Sequence, residues 1–496
     1  MMTEQPMTPD EIWAGDLFGR QKEAALLIGY LESVASRPKL REDVHGYTIA
    51  VDARYGEGKT FFLNRLARQL ELDHPVAFVD AWTDDLADEP LTALAATLKK
   101  ALDPLIEHST DIRSKFEDFV ETTGKVVKII GKGLVKRGLA LAITGAAADA
   151  VETMMSGIDD PVAEAIREKA KSAGDDLVDD GAAAFQSVAP GRLMEERIEA
   201  FEAGQKAIDD IRRSLEALVA SLEGQDRKTP IFIIIDELDR CRPTYAVKLL
   251  EEIKHLFDVP GLVFILGLHG EQLAHSVSAA YGTEFDGKAY LRRFFQRQYR
   301  LAEPDLAPLV AHLCQQAGIE GRPVNMLPFT SEYGRHMPKL PEAVATYMTA
   351  YGMSARSAFE VVDILQTSFA LVQGRPLYLN YLLPLIIGHV QGLAPGTLPT
   401  LPRAVSWRLF QASDHFGREG EDLAPDSIAE EFSAVCGWSR DELVQRMDDS
   451  WPRYAVRARY ENDASSGGQR NLASVHNYPA LLTTVSRFQN PNLAGE

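Results

Sequence analysis

Cysteine is scarce in this sequence, positive charge is outnumbered, and a secretory leader is absent from the expected features; each shortage narrows what the chain can be. Three cysteines, Cys241, Cys314 and Cys436, stand far apart in 496 residues. Neither a disulfide framework nor a zinc-ligand spacing can be drawn from them, so a reducing cytoplasm is the expected home. The first twenty residues, MMTEQPMTPDEIWAGDLFGR, carry acid where a signal peptide carries base and contain no apolar h-region, so secretion is not expected. Lys and Arg number 52 against 72 Asp and Glu, a net charge of -20. That balance argues against nucleic acid as the main ligand. No nuclease, protease or metal constellation stands out, and no NKxD-like base-reading motif follows the central region. What is present is ordinary globular composition, 45% hydrophobic and 25% charged, on a chain long enough for about two or three domains with sizeable cores.

The informative stretch is ARYGEGKT, Ala53 to Thr60, set between the apolar run Tyr47 to Val51 and the amphipathic FFLNRLARQL. A strand feeding a Gly-rich turn and then a helix is the arrangement of a phosphate-binding loop, in which consecutive backbone N–H groups converge on phosphate oxygens. Gly56, Glu57, Gly58, Lys59, Thr60 and Phe61 are the candidate nucleotide-binding residues: Lys59 to reach the β and γ phosphates, Thr60 to place a hydroxyl on Mg²⁺. The usual GxxxxGK[ST] pattern begins with Gly and this one with Ala53. The loop survives that change unless the position needs a positive φ.

A second strand is expected at Val76 to Val79, followed by DAW and a Pro-led helix. Asp80 then lies at the carboxyl end of a strand, either to orient water or Mg²⁺ or to cap a turn; Trp82 reads as packing. IFIIIDELDRCRP supplies the complementary motif. Its Ile231 to Ile235 run suits a strand buried on both faces, ending in Asp236, a metal-holding carboxylate, and Glu237, placed to polarise the attacking water. Asp239 and Arg240 follow in a turn and read as an intraloop ion pair unless they act in chemistry. A further buried strand, Leu262 to Leu268, ends at His269, either a γ-phosphate sensor or a structural histidine. In YLRRFFQRQYR a basic turn precedes a short last strand, and Arg292, Arg293 and Arg297 are candidate arginine fingers or partners of the protein's own carboxylates.

The remainder reads as helix. Arg20 to Ala35 has apolar residues at helical spacing, with Asp16 or the turn at Gly19 as its start. From about Lys99 to Pro190 no strand signal occurs, so a helical insertion is expected there. Within it Lys125, Lys128, Lys132 and Lys136 recur on one face, suited to an anionic membrane surface or simply to solvent. Gly138 to Ala148 is uncharged but far shorter than the ~20 apolar residues of a spanning helix. KSAGDDLVDDGAAAFQ reads as a mobile connection, and a long helix from about Leu193 to Leu222 leads back to the sheet. Beyond Pro304 strands are expected to stop. Arg356, near the start of the helix SARSAFEVVDIL, is a candidate lid arginine, and SSGGQR at Ser465 to Arg470 reads as a loop. The expected divisions are 1–45, 46–98, 99–190, 191–302, 303–400 and 401–496.

Four motifs in order, YGEGKT, FVDAW, IIIDELDRC and YLRRFF, resemble those of the KAP family of P-loop NTPases, over roughly Asp16 to Leu301. The stretch at Gly19 and Arg20 is similar to one that helps hold adenine in AAA-like and STAND ATPases. The resemblance implies an α/β fold: a P-loop core with a parallel sheet that has an added strand between the two Walker strands, a helical insertion between those strands, and an α-helical C-terminal domain. It implies ATP and Mg²⁺ as ligands, ATP hydrolysis, and a link to phage exclusion and defence. Departures are Ala53, Glu237 where many members carry a second Asp, and an insertion too polar and short for paired membrane spans. The expected function is an ATP-hydrolysing switch or assembly platform with a protein effector, and a homo-oligomer is a further expectation. Alternatives are a non-hydrolysing ATP-binding scaffold, or an ATPase peripheral to the inner face of the membrane.

Overall fold

The computed structural model describes residues 7–35, 46–87, 89–125, 190–222, 229–254, 259–282, 284–326, 339–373, 375–405, 421–446 and 471–488, with short pieces between them. The basic face beyond Lys125, the Gly138 to Ala148 stretch, the KSAG connection and the SSGGQR loop lie outside these residues. Two compact units divide the chain: Glu23–Ala53 with Thr60–Arg300 in one, and Trp13–Lys22, Arg54–Lys59 and the chain from Leu301 onward in the other.

In the first unit, helix α1 (Arg20–Ala35), from Glu23 on, leads to strand β1 (Tyr47–Asp52), helix α2 (Lys59–Leu70), from Thr60 on, and strand β2 (Val76–Asp80). Helix α3 (Pro90–His108), a helical stretch at 110–125 and helix α4 (Pro190–Ala220) follow. The unit closes with β3 (Ile231–Asp236), α5 (Pro243–Ile253), β4 (Leu262–Leu268), α6 (Gly270–Tyr281), α7 (Gly287–Leu291) and β5 (Arg297–Arg300). The five strands form one parallel sheet in the order β2-β3-β4-β1-β5. The expected added strand is β4, lying between the strand that feeds the phosphate loop and the strand that ends in Asp236.

Burial explains the composition of the strands. All six residues of β3 and all seven of β4 are buried, so neither strand can alternate polar with apolar, and runs of Ile, Leu, Val and Phe result, broken by Gly267 in β4 and by Asp236 at the end of β3. Strand β5 pairs on one side only and is mostly exposed, which is why Arg-Gln-Tyr-Arg is tolerated there. The register aligns Asp80 with Asp236 and Asp52 with both Leu268 and Arg300. Three acidic residues therefore end three strands at the carboxyl edge, where open α/β sheets bind ligands. Helices α3, α4 and α5 cover this sheet through Leu91, Leu94, Leu98, Ile211, Leu215 and Leu250, all in one buried cluster with Ile233 and Ile235.

The second unit is mainly helical: α8 (Leu306–Gln316), α9 (Leu340–Ala350), α10 (Ala355–Leu371), α11 (Leu379–Val390), α12 (Pro425–Cys436), α13 (Arg440–Gln445) and α14 (Tyr478–Val485). One apolar cluster runs from Leu306 to Val485. At its centre Tyr381 stacks on Phe432 at 5.7 Å and on Tyr478 at 5.9 Å, and the Tyr478 hydroxyl accepts from the Tyr378 amide at 2.8 Å. The expectation that strands stop after Pro304 is corrected here. Val324–Asn325 pairs with Leu377–Tyr378, and Phe329–Ser331, Gly334–His336, Trp407–Leu409 and Glu421–Leu423 form a four-stranded sheet. Strands of two or three residues are too short to show a period-two pattern. Among the described residues no helix is long and apolar enough to cross a membrane.

Candidate nucleotide site

Strand β1 ends at Asp52, and the chain turns through the loop before α2 begins at Lys59. Gly56 and Gly58 carry the loop with φ of 80° and 83°, the left-handed region that glycine enters without the steric cost a Cβ brings. Among the described residues the non-glycines with positive φ are Glu237 and Gln373. Ala53 is therefore in ordinary backbone, buried, with its amide donating to the Leu268 carbonyl at 3.2 Å, so the missing first glycine costs the loop nothing. Glu57 closes the turn on itself: its Oε2 accepts from the Arg54 amide at 2.8 Å. Lys59 is buried to 9% exposure. Phe61 faces along its own helix, with the Arg65 guanidinium 3.7 Å from its ring centroid.

Two further contacts shape the loop. The Arg20 side chain, 1% exposed, donates from one terminal nitrogen to the Glu57 carbonyl and from the other to the Ala302 carbonyl, both at 3.0 Å. Asp16 accepts from the Phe18 and Gln21 amides at 3.1 and 2.9 Å and so starts α1, as its sequence position suggested. A Cβ on Gly56 would lie 3.0 Å from both Ser354 Oγ and Arg356 Cβ. Arg356, on the first turn of α10 behind its N-cap Ser354, thus stands beside the glycine turn.

At the end of β3, Asp236 is 1% exposed and its Oδ1 accepts from the Glu237 amide at 2.8 Å. Glu237 itself has φ 60° and ψ 24°, a left-handed conformation that costs a non-glycine residue on the order of 1–3 kcal/mol and collects at functional sites. Its Oε1 lies 3.5 Å from the Thr60 hydroxyl and 3.2 Å from an Arg240 nitrogen. The structure therefore brings Thr60, Asp236 and Glu237 together. Arg240 pairs with Glu237, and Asp239 beside it is buried. Asp80 takes the capping role: its carboxylate accepts from the Thr83 amide at 3.1 Å and the Thr83 hydroxyl at 2.8 Å.

The remaining candidates are elsewhere. His269 is half-buried at the N-cap of α6. Arg292 and Arg293 are exposed after α7, with Arg293 lining a cavity of about 320 Å³ beside Tyr281, Phe285 and Tyr290. Arg297 lies in β5 opposite Ile49. Lys125, at the edge of the described helix, pairs with Glu121 at 2.8 Å. Three participants carried no sequence signal. Asp52 joins the start of α6 and strand β5, accepting from the Gly270 amide at 2.8 Å and Gln298 Nε2 at 2.7 Å. Arg242 is held by Asp85, its amide to Oδ2 at 2.9 Å and its Nε to Oδ1 at 2.8 Å. Gly267 leaves no room for a side chain between Leu63 and Asp236. The apolar β4 pattern hinted at none of this.

A family model described as the KAP family P-loop domain matches residues 20–320, more than half of the chain. The chain belongs to the KAP family. The KAP domain thus covers the whole parallel sheet, and the protein is a P-loop NTPase with a nucleotide-binding core. It is similar to the phage T7 exclusion protein of Escherichia coli (strain K12), 25% identical over 124 residues, which are 25% of this chain and 16% of that protein. The match is therefore to a small part of the relative. Among solved structures it is similar to the Aeropyrum pernix ORC2 protein with ADPNP and ADP, at 15% identity and a TM-score of 0.28 over 95% of this chain and 88% of that one. The ORC1 protein of the same organism in complex with DNA matches at 12% identity and a TM-score of 0.27, over 98% and 88% of the two chains. Similarity this slight carries no argument for the KAP protein beyond what the sheet order and family match establish.

The residues present fit a magnesium nucleotide. Two left-handed glycines leave the backbone able to approach an anion, and the Thr60 hydroxyl at the start of α2 and the buried Asp236 carboxylate at the end of β3 are hard oxygen donors of the kind magnesium takes with phosphates.

Proposed function

We propose that the protein binds ATP with magnesium and hydrolyses it, turnover serving as a switch for a protein effector. The observation that supports this best is the meeting of Thr60 and Glu237, 177 positions apart in sequence, at 3.5 Å beside buried Asp236. Phosphoryl transfer asks a protein for positioning and charge neutralisation more than for covalent chemistry. The loop amides of Gly56 to Phe61 and the start of α2 cradle the phosphates, and Lys59 neutralises them. Magnesium, when bound, supplies further neutralisation of phosphate oxygens, and Thr60 and Asp236 are the residues to hold it. Glu237 orients a water and accepts its proton. His269 is assigned to sensing, Arg356 to the lid, and Arg292 or Arg293 to a finger acting in cis or across a homo-oligomer contact. ATP is preferred to GTP because no NKxD-like motif follows the core.

The switch reading draws on Gly56, which abuts Ser354 and Arg356 at the start of α10. A phosphate held in the loop bears on that helix, and through it on a helical core that could engage an effector. We extend the proposal to phage exclusion, supported by what the Escherichia coli relative is called, and to a reducing cytoplasm, supported by three free cysteines.

The test uses the full chain. Lys59→Ala is expected to abolish nucleotide binding, while Glu237→Gln keeps binding and lowers phosphate release at least ~100-fold, the low end for loss of a general base. Hydrolysis retained in both variants would remove the assignment of this site. A wild-type protein that binds ATP but releases no phosphate, alone or with lipids or DNA, leaves the scaffold reading in its place.

A further inference from the structure

Two residues next to the catalytic carboxylate are unexplained by packing. Trp82, in the short helix Ala81–Asp84 that follows β2, keeps 44% of its surface exposed, although an indole that served only the core would be covered. The guanidinium of Arg240 stands 5.5 Å from its ring centroid, within cation–π range. The same guanidinium reaches 3.2 Å from Glu237 Oε1. The side chain of Glu237 is 13% exposed against 31% for that of Arg240, so the pair sits at the rim of the site, with the carboxylate inward. A chain of contacts therefore runs from an exposed ring through a cation to the base.

We infer that Arg240 is a positioning residue for Glu237 and that Trp82 is the shelf that fixes Arg240. The inference rests on the hydrolytic reading given above. A glutamate has three side-chain torsions, and a general base displaced by about 1 Å can lose ~100-fold in rate. The left-handed backbone at Glu237 sets where the side chain starts, and the Arg240 contact sets where it ends. Arginine is long and keeps much rotamer freedom, but a guanidinium held over an aromatic ring loses part of that freedom once, before the reaction. Thr60 alone does not do this work. Its hydroxyl lies 3.5 Å from the same oxygen and is the group that would hold magnesium with a nucleotide bound. Arg240 reaches the same oxygen at 3.2 Å.

The experiment measures steady-state phosphate release and nucleotide affinity in the full-length protein, with Glu237→Gln as the reference for a lost base. Arg240→Ala is expected to lower kcat about 10–100-fold while KM and the affinity for a non-hydrolysable ATP analogue stay within about twofold. Unchanged affinity also certifies that the variant is folded. Arg240→Lys keeps the charge without the planar guanidinium, and is expected to recover part of the loss. Trp82→Ala is expected to lower kcat several-fold, Trp82→Phe to restore it, and Trp82→Ala added to Arg240→Ala to change nothing further, since the shelf acts through the arginine. An Arg240→Ala enzyme with wild-type or raised kcat overturns the inference alone, as does a loss confined to affinity. Full additivity of the Trp82 and Arg240 effects overturns the shelf. A wild type without Glu237-dependent turnover overturns the hydrolytic reading, and the inference with it.

Discussion

Gly267 offers the sharpest test of how the β3 carboxylate is held. A methyl group at this position would run into Leu63 Cδ1, and would also lie 2.7 Å from Asp236 Oδ1 and 3.4 Å from Asp236 Cα. Leu63 can swing its methyl aside, but Asp236 is 1% exposed and its Oδ1 already accepts from the Glu237 amide at 2.8 Å. Gly267→Ala thus adds the cost of overpacking, about 1–3 kcal/mol, to part of a charge-assisted hydrogen bond valued at about 1.5–3 kcal/mol. A total of roughly 2–5 kcal/mol corresponds to a fall in melting temperature of roughly 4–20 °C at about 2–4 °C per kcal/mol. The second effect is specific: displacing Asp236 weakens magnesium-dependent nucleotide binding about tenfold or more, equivalent to ~1.4 kcal/mol, and leaves magnesium-free binding nearly unchanged. Thermal melts and nucleotide titrations with and without magnesium read the two effects separately. Adding Leu63→Ala removes the first collision and not the second, so the double variant should keep the weakened magnesium dependence. Gly267→Ala with wild-type melting and wild-type magnesium dependence would refute the reasoning.

Asp85→Asn replaces an acceptor of the Arg242 amide and Nε with a group that can accept at one atom only. Because the Arg242 side chain is 58% exposed, the expected loss is at the low end of the range for charged hydrogen bonds, about 1–2 kcal/mol in urea unfolding; an unchanged midpoint would show that the turn is held by other contacts. Cys241 is 5% exposed, and burial, reinforced by Asp85 and Asp239, pushes its thiol up to about 12. The sign is toward the neutral, unreactive form, so at pH 8 its thiolate fraction falls roughly 1000-fold below that of an ordinary cysteine thiol. Iodoacetamide should therefore modify half-buried Cys436 first and reach Cys241 only in denaturant, as peptide mapping would reveal; rapid native labelling of Cys241 contradicts the burial.

What the sequence determined by itself is local. The strands at Tyr47, Val76, Ile231 and Leu262, the helix from Arg20 to Ala35 and the glycine turn before Lys59 are each written in a dozen neighbouring residues, because buried strands demand apolar runs and left-handed turns demand glycine. Motif order within one chain was enough to indicate a P-loop core. Tertiary structure alone decided who faces whom. It set β4 between the two Walker strands, turned Asp80 into a cap, brought Arg240 to Glu237, and made Gly267 necessary through residues on α2 and β3. It also supplied the short strands beyond Pro304, whose two or three residues gain their partners from across the second unit. The physical reason is range: periodicity and turn chemistry act over one or two turns of chain, whereas a carboxylate's partner 177 positions away exists only after the sheet has closed the intervening loops.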